Sequence, residues 1–288
     1  MKRLVILTCL ICVPFTWGQS AEDRKATIAY LQKLQTDSGG FLPGGKSDKG
    51  SLRATSSALR ALKYWGGEPR DAKSAAKFVD SCFDKATGGF VDAPSNKTDV
   101  TTTAIGLMAV VELKMPQEKY TEPAVKYLAE NAKTFEEIRI AAAGLEAVGK
   151  RPAQADGWLE QVAKLRNPDG TYGKGPGTAR ATGSAGVVVL RLGGKVEQRE
   201  NVVKALKAGQ RADGGFGKEE GEGSDLETTY RVLRAFFMLK EKPDEAKVRA
   251  FVAKCRNADG GYGVAPGQPS NAGGTYFASI ILHWLDAR

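Results

Sequence analysis

Few side chains in this chain can carry chemistry unaided. Its 288 residues include four cysteines and one histidine, His283. Cys9 and Cys12 fall within the first twenty residues, and neither sits in a lipoprotein-type cleavage context. Cys82 and Cys255 remain, and beyond residue 20 there is no C-x-x-C. Two isolated thiols exclude a disulfide framework and a cysteine-built zinc or redox motif. No G-x-S-x-G is present and neither thiol has a histidine near it in sequence, so nucleophilic catalysis has no support. Past residue 20 no apolar run is long enough for a membrane span. The formal charge is +9, yet Lys and Arg are dispersed rather than blocked and are not interleaved with aromatics. That pattern argues against nucleic acid and supports only a mild attraction to anionic surfaces. Sustained alternation of apolar and polar residues is also missing, so strands should be few.

What the N-terminus does have is the layout of an export signal. Met1-Lys2-Arg3 precedes an apolar stretch from Leu4 to Trp17, and small residues follow at Gly18 and Ser20. A basic start, a short apolar core and a small-residue end predict a signal peptide over residues 1–20, cleaved near Ser20–Ala21. Residues 21–288 should then be a single exported domain, periplasmic or secreted, with no stable membrane span. A retained anchor is the alternative. Asn96-Lys97-Thr98 fits a glycosylation sequon by pattern.

One short motif recurs along the rest. It reads Q-T-D-S-G-G-F ending at Phe41, K-A-T-G-G-F at Phe90, and R-N-P-D-G-T-Y at Tyr172. It returns as Q-R-A-D-G-G-F at Phe216 and R-N-A-D-G-G-Y at Tyr262. The period is about 45 residues, and the interval between Phe90 and Tyr172 holds two periods. A marker is therefore missing near Thr134-Phe135-Glu136-Glu137, giving about six repeats. Each repeat has an amphipathic helix before the turn, as at Arg70–Phe83, and an apolar helix after it, as at Thr103–Leu113 and Ser184–Leu192. Helices apolar all round are buried, so the second helices should form an inner layer and the first an outer one. Cys82 and Cys255 then fall on outer helices as half-buried thiols. Glycine supplies the backbone freedom of the turn, and the aromatic after it folds onto the neighbouring unit. These turns read as interlocks between repeats.

The Q-x-x-D-G-G-F turn, at this period and between paired helices, resembles the QW-type repeats of the prenyltransferase β-subunit and squalene-hopene/terpenoid cyclase superfamily. The resemblance covers nearly all of residues 21–288. It implies an all-α fold, an α/α toroid with six inner helices around a central apolar cavity. It also implies an isoprenoid or other apolar ligand, and a transferase or cyclase activity. Zinc prenyltransferases of this superfamily carry D-x-C-Y at an inner helix start and a later histidine. Here the matching stretch is Ser224-Asp225-Leu226-Glu227-Thr228-Thr229-Tyr230. Asp225 matches the family aspartate and Glu227 stands at the cysteine position, while the last repeat offers Asn271–Tyr276 without histidine. His283 lies about two turns deeper, in an apolar run that suggests a buried histidine. Two carboxylates suit magnesium or calcium better than zinc. The cyclase acid motif D-x-D-D is absent.

Asp225, Glu227 and Tyr230 are thus the candidate catalytic residues, with Asp225 and Glu227 the candidate ligands of a divalent metal. Ser224-x-x-Glu227 is equally a capping box, a helix start with no catalytic role. Thr134-x-x-Glu137 repeats it where no family site falls. Arg53, Asp99 and Arg180 occupy corresponding helix starts and would ring one mouth of the toroid. They could hold a polar head group or pair with one another. The functional expectation is a toroid that binds an isoprenoid or other apolar ligand, with prenyl transfer as its chemistry. The alternative is a non-catalytic scaffold binding a lipid, glycan or protein at the mouth. The family's transferases act with a separate helical subunit, and nothing in this sequence marks a surface for one.

Overall fold

Polar side chains start most of the helices. The computed structural model describes residues 20–45, 47–93, 97–219 and 221–287. Residues 1–19 of the expected signal peptide and Asn96 lie outside them. Ser20 caps α1 (Ala21–Lys33), Ser51 caps α2 (Leu52–Trp65), Asp71 caps α3 (Ala72–Ser81) and Asp99 caps α4 (Val100–Glu112). After α5 (Thr121–Asn131), Thr134 caps α6 (Phe135–Ala147) in a full capping box with Glu137, followed by α7 (Ala155–Ala163) and α8 (Thr178–Arg191). After α9 (Arg199–Ala208), Asp225 caps α10 (Leu226–Leu239), Asp244 caps α11 (Glu245–Lys254) and Asn271 caps α12 (Ala272–Asp286). Each cap accepts an otherwise orphaned amide of the first turn.

The odd-numbered helices form the outer layer and the even-numbered ones the inner layer. Each inner helix packs on its two inner neighbours, and α12 returns to α2 to close the ring. Among the described residues the only β-pairing is isolated bridges at the turns. This is the expected all-α toroid of six helix pairs. First-turn pairs such as Arg53–Asp99 and last-turn pairs such as Lys63–Glu112 show that neighbouring inner helices run the same way.

The turns lock the repeats together. Phe41, Phe90, Phe216 and Tyr262 are at most 1% exposed, and Tyr172 is also buried. The backbone N–H of each donates to a threonine hydroxyl of the inner helix that follows: Thr55, Thr103, Thr182, Thr229 and Thr275, at 2.9–3.1 Å. The residue six places before the aromatic reaches the next outer helix. Gln35 donates to the Asp71 carbonyl (2.7 Å) and accepts from its N–H (3.0 Å); Gln210 does the same to Asp244. Arg166 and Arg256 substitute ion pairs, with Glu197 and with Asp23 of α1. Gly214 (φ +96°) and Gly260 (φ +86°) sit where a Cβ would overlap the Lys247 and Ala26 carbonyls. Only glycine meets both conditions.

The last turn is also the ring closure. Thr27 of α1 donates to the Gly260 carbonyl at 2.8 Å, and Ala272 N donates to the Pro43 carbonyl at 2.9 Å. The missing third marker has a plain cause: α5 and α6 are joined by residues 132–134 alone, so no turn exists there to carry it. Cys82 and Cys255 close α3 and α11 and are fully buried rather than half-buried, and burial pushes both thiols up to about 12. His283 is exposed, not buried, with its ring 4.8 Å from that of Tyr64.

Gln35→Ala should leave the Asp71 amide without its partner and the Asp71 carbonyl with Ala75 N alone, and it removes a side chain that is 4% exposed. A loss of about 1–3 kcal/mol in urea unfolding is expected; an unchanged midpoint would show that the pin is dispensable.

Candidate functional site

All six inner helices contribute to one cavity of about 310 Å³ at the toroid centre. One side is aromatic and apolar: Tyr64, Tyr230, Tyr276, Phe277, Ile105 and Ile140. Tyr230 stacks on Trp284 (5.5 Å between ring centres), which stacks in turn on Phe237. The remaining wall is charged. Arg60, Arg139, Arg191, Arg231 and Arg234 face it, with Glu112, Glu146 and Glu227. The wall therefore differs from the uniformly apolar one that the resemblance implied. The charges come from single ionic residues inside otherwise apolar helices, as in V-V-V-L-R191-L and Y-R231-V-L-R234-A-F.

These charges form two belts. Near the inner-helix N-termini, Arg231 joins Glu227 (2.7 Å) to Glu136 (2.9 Å), and Glu136 also meets Arg139 (2.9 Å). Near the C-termini, Glu146 is shared by Arg191 (2.9 Å) and Arg234 (2.8 Å). Burial works against the Glu136 carboxylate, but Arg231 and Arg139 outweigh it and draw its pKa to about 2. Burial likewise opposes ionisation of Glu227, yet Arg231, Lys218 and Arg180 hold it below its ordinary value. Burial raises the Tyr230 phenol; Arg191, Arg60 and Arg234 more than offset that and bring it to about 8.

The residues singled out from sequence separate into two groups. Glu227 and Tyr230 line the cavity. Asp225 is the N-cap of α10, accepting from Thr228 N (2.8 Å) and from Thr228 Oγ1 (2.7 Å). The cap thus falls one residue later than a Ser224 capping box would place it. Ser224 is buried and donates to Asp213 Oδ1 at 2.8 Å, and Glu227 turns to Arg231 instead of reaching back. At the mouth, Arg53 pairs with Asp99 at 3.4 Å and Asp92 at 3.7 Å, and Arg180 pairs with Glu227 at 3.6 Å.

This arrangement does not suit a divalent metal. Both Asp225 oxygens are engaged by Thr228, and Glu227 is surrounded by three cations. Among the described residues no three His, Cys, Asp or Glu side chains gather as a metal-binding set. A zinc site needs three or four such ligands. Sequence reasoning missed Arg60, Glu136, Arg139, Glu146, Arg191, Arg231 and Arg234; an isolated charge within an apolar inner helix was the available signal.

The family model of the prenyltransferase alpha-alpha toroid domain matches residues 6–72, 67–129 and 118–288. The chain belongs to this family. It is similar in structure to Candida albicans protein geranylgeranyltransferase-I complexed with GGPP, with a TM-score of 0.73, 13% identity, and 92% of this chain and 91% of that one covered. A variant of the type II terpene cyclase MstE from Scytonema, in complex with geranylgeranyl dihydroxybenzoate, is similar at a TM-score of 0.61, 11% identity, and 92% and 96% coverage. A glycosidase variant in complex with glucose is similar at a TM-score of 0.62, 13% identity, and 93% and 98% coverage. No curated protein matches the sequence. At such identities the likeness is one of fold, and this fold carries unlike chemistries.

The charge belts should show in the pH dependence of stability. Glu136 is depressed from 4.5 to about 2 in the folded state. Its contribution is present above 4.5 and lost as pH falls through about 2. Glu136→Gln should lower the Tm by about 2–4 °C at neutral pH, the size expected for about 1 kcal/mol after solvent screening. Calorimetry should find that gap closing below about pH 4.5; a gap independent of pH would remove the ion pairs as its cause.

Proposed function

We propose that this protein is an exported binding toroid that holds an isoprenoid or other largely apolar ligand in its central cavity. The observation carrying this reading is the aromatic and aliphatic wall of Tyr230, Tyr276, Phe277, Ile105 and Ile140, to which inner helices on opposite sides contribute. A pocket of about 300 Å³ lined in this way is at the lower end of the range for small-molecule sites. Export is supported by the Lys2-Arg3 start, the apolar stretch and the small residues near Ser20. In this reading Arg53, Asp99 and Arg180 form the polar rim through which a ligand passes, and their mutual pairing keeps the rim set in the absence of a ligand.

A transferase reading has one specific observation in its favour. Tyr230 faces the cavity, and against the effect of burial the surrounding arginines hold its phenol below the ordinary value, which eases loss of its proton. Asp225, Glu227 and Tyr230 would then be the catalytic group, with Asp225 holding the helix start and Glu227 positioning Arg231. Among the described residues metal-assisted transfer has no donor set, so the binding reading ranks first.

Native mass spectrometry of the protein purified from its own host, without chelator, tests this. A co-purifying isoprenoid or other lipid, displaced on adding farnesyl diphosphate, is the expected result. A bare chain mass that neither farnesyl diphosphate nor farnesol changes would overturn the proposal.

A further inference from the structure

The C-terminal belt of the cavity does not balance its own charge. Arg60, Arg191 and Arg234 line this end, and Arg191 and Arg234 share the carboxylate of Glu146. Glu112 also lines this end, but Lys63 engages it at 2.9 Å. Among the described residues Arg60 has no carboxylate within ion-pair distance. Its contacts are the Met108 sulfur at 3.3 Å and the face of the Tyr276 ring at 4.4 Å. Polar groups beside it are also short of acceptors. Among the described residues the buried Nε of Arg234 makes no hydrogen bond, and the hydroxyl of Tyr276, a residue 5% exposed, has only the Tyr230 phenol beside it. The opposite belt differs, because there each arginine has a carboxylate partner: Arg139 and Arg231 meet Glu136, and Arg180 and Arg231 meet Glu227.

Unpaired buried donors are costly, and for Arg60 only a weak sulfur acceptor and a ring face stand in for a carboxylate. The helix ends do not account for Arg60, which lies a turn and a half before the end of α2, beyond the reach of most of the terminal dipole effect. A missing acceptor does account for it. We infer that this end of the cavity is an anion site, formed by Arg60, Arg234 and the Tyr276 hydroxyl, for the carboxylate of a compact amphiphile. Its apolar part lies along Ile105, Ile140 and Ile280. The inference rests on the central cavity being the binding site and adds the ligand's charge and orientation: the acidic head sits at the C-terminal end of the inner helices, away from the rim of Arg53, Asp99 and Arg180. The low phenol of Tyr230 is consistent with an uncompensated positive potential at this end.

Calorimetric titration with decanoate and with 1-decanol separates the outcomes. Decanoate is expected to bind at least tenfold more tightly, as charge-assisted hydrogen bonds to a desolvated guanidinium require. Arg60→Met should remove that preference, lowering decanoate affinity about tenfold and leaving 1-decanol unchanged. Tyr276→Phe keeps the ring and should cost decanoate roughly threefold to tenfold. Circular dichroism and Tm verify that both variants are folded. Equal affinity for acid and alcohol, or full decanoate affinity in both folded variants, would overturn the anion site while leaving an apolar cavity in place. Failure of both probes to bind would overturn the site and the cavity reading together.

Discussion

Four of the six repeats are tied to the next by a few polar atoms at the start of an outer helix. Gln35 at Asp71, Gln210 at Asp244, Arg166 at Glu197 and Arg256 at Asp23 are four versions of one contact. Beside each, a buried aromatic hangs its backbone N–H on a threonine of the inner helix. The pairing fixes how far one helix pair is rotated from the one before it. That rotation sets the radius of the inner ring and hence the volume left at its centre. The glutamines meet both backbone polar groups of one residue, and the arginines replace this with charge; either way the next helix start is held in one register.

The cavity follows from the same geometry. Helices drawn into a ring cannot fill its middle with their shared apolar faces, and this chain supplies arginines there. Most are paired with glutamates, which limits the cost of withdrawing charge from water. The pairing also explains why Asp225 and Glu227, despite their place in the repeat, do not form a metal centre: one caps its helix and the other is committed to cations. The family supplies the frame, and the wall of the cavity decides what the frame can hold.

The period, the two layers, the six repeats and the interlocking turns could be read from the sequence, because each rests on local rules of glycine, aromatic and helix spacing. The third repeat was legible from Thr134 and Glu137, whose capping box needs only four residues. Other features depended on contacts far apart in sequence. Ser224 and Glu227 have the spacing of a capping box, but Asp213 draws Ser224 away and Arg231 claims Glu227. His283 sits in an apolar run, yet its position on α12 turns it to the surface beside Tyr64. The cavity charges escaped notice for a related reason. One or two arginines in a helix of thirteen or fourteen residues hardly alter its apolar character, and only closure of the ring brings five of them to one place.

A solenoid of helix pairs has terminal units that can fray while the middle stays folded. This ring has none, since α12 lies on α2 and Thr27 is fastened to Gly260. Loosening any repeat means parting it from neighbours on two sides, so partial opening carries twice the interfacial loss that it would at the end of an open stack. The contact between α1 and the last turn thereby makes the molecule's folding more nearly all-or-none than its modular sequence would suggest.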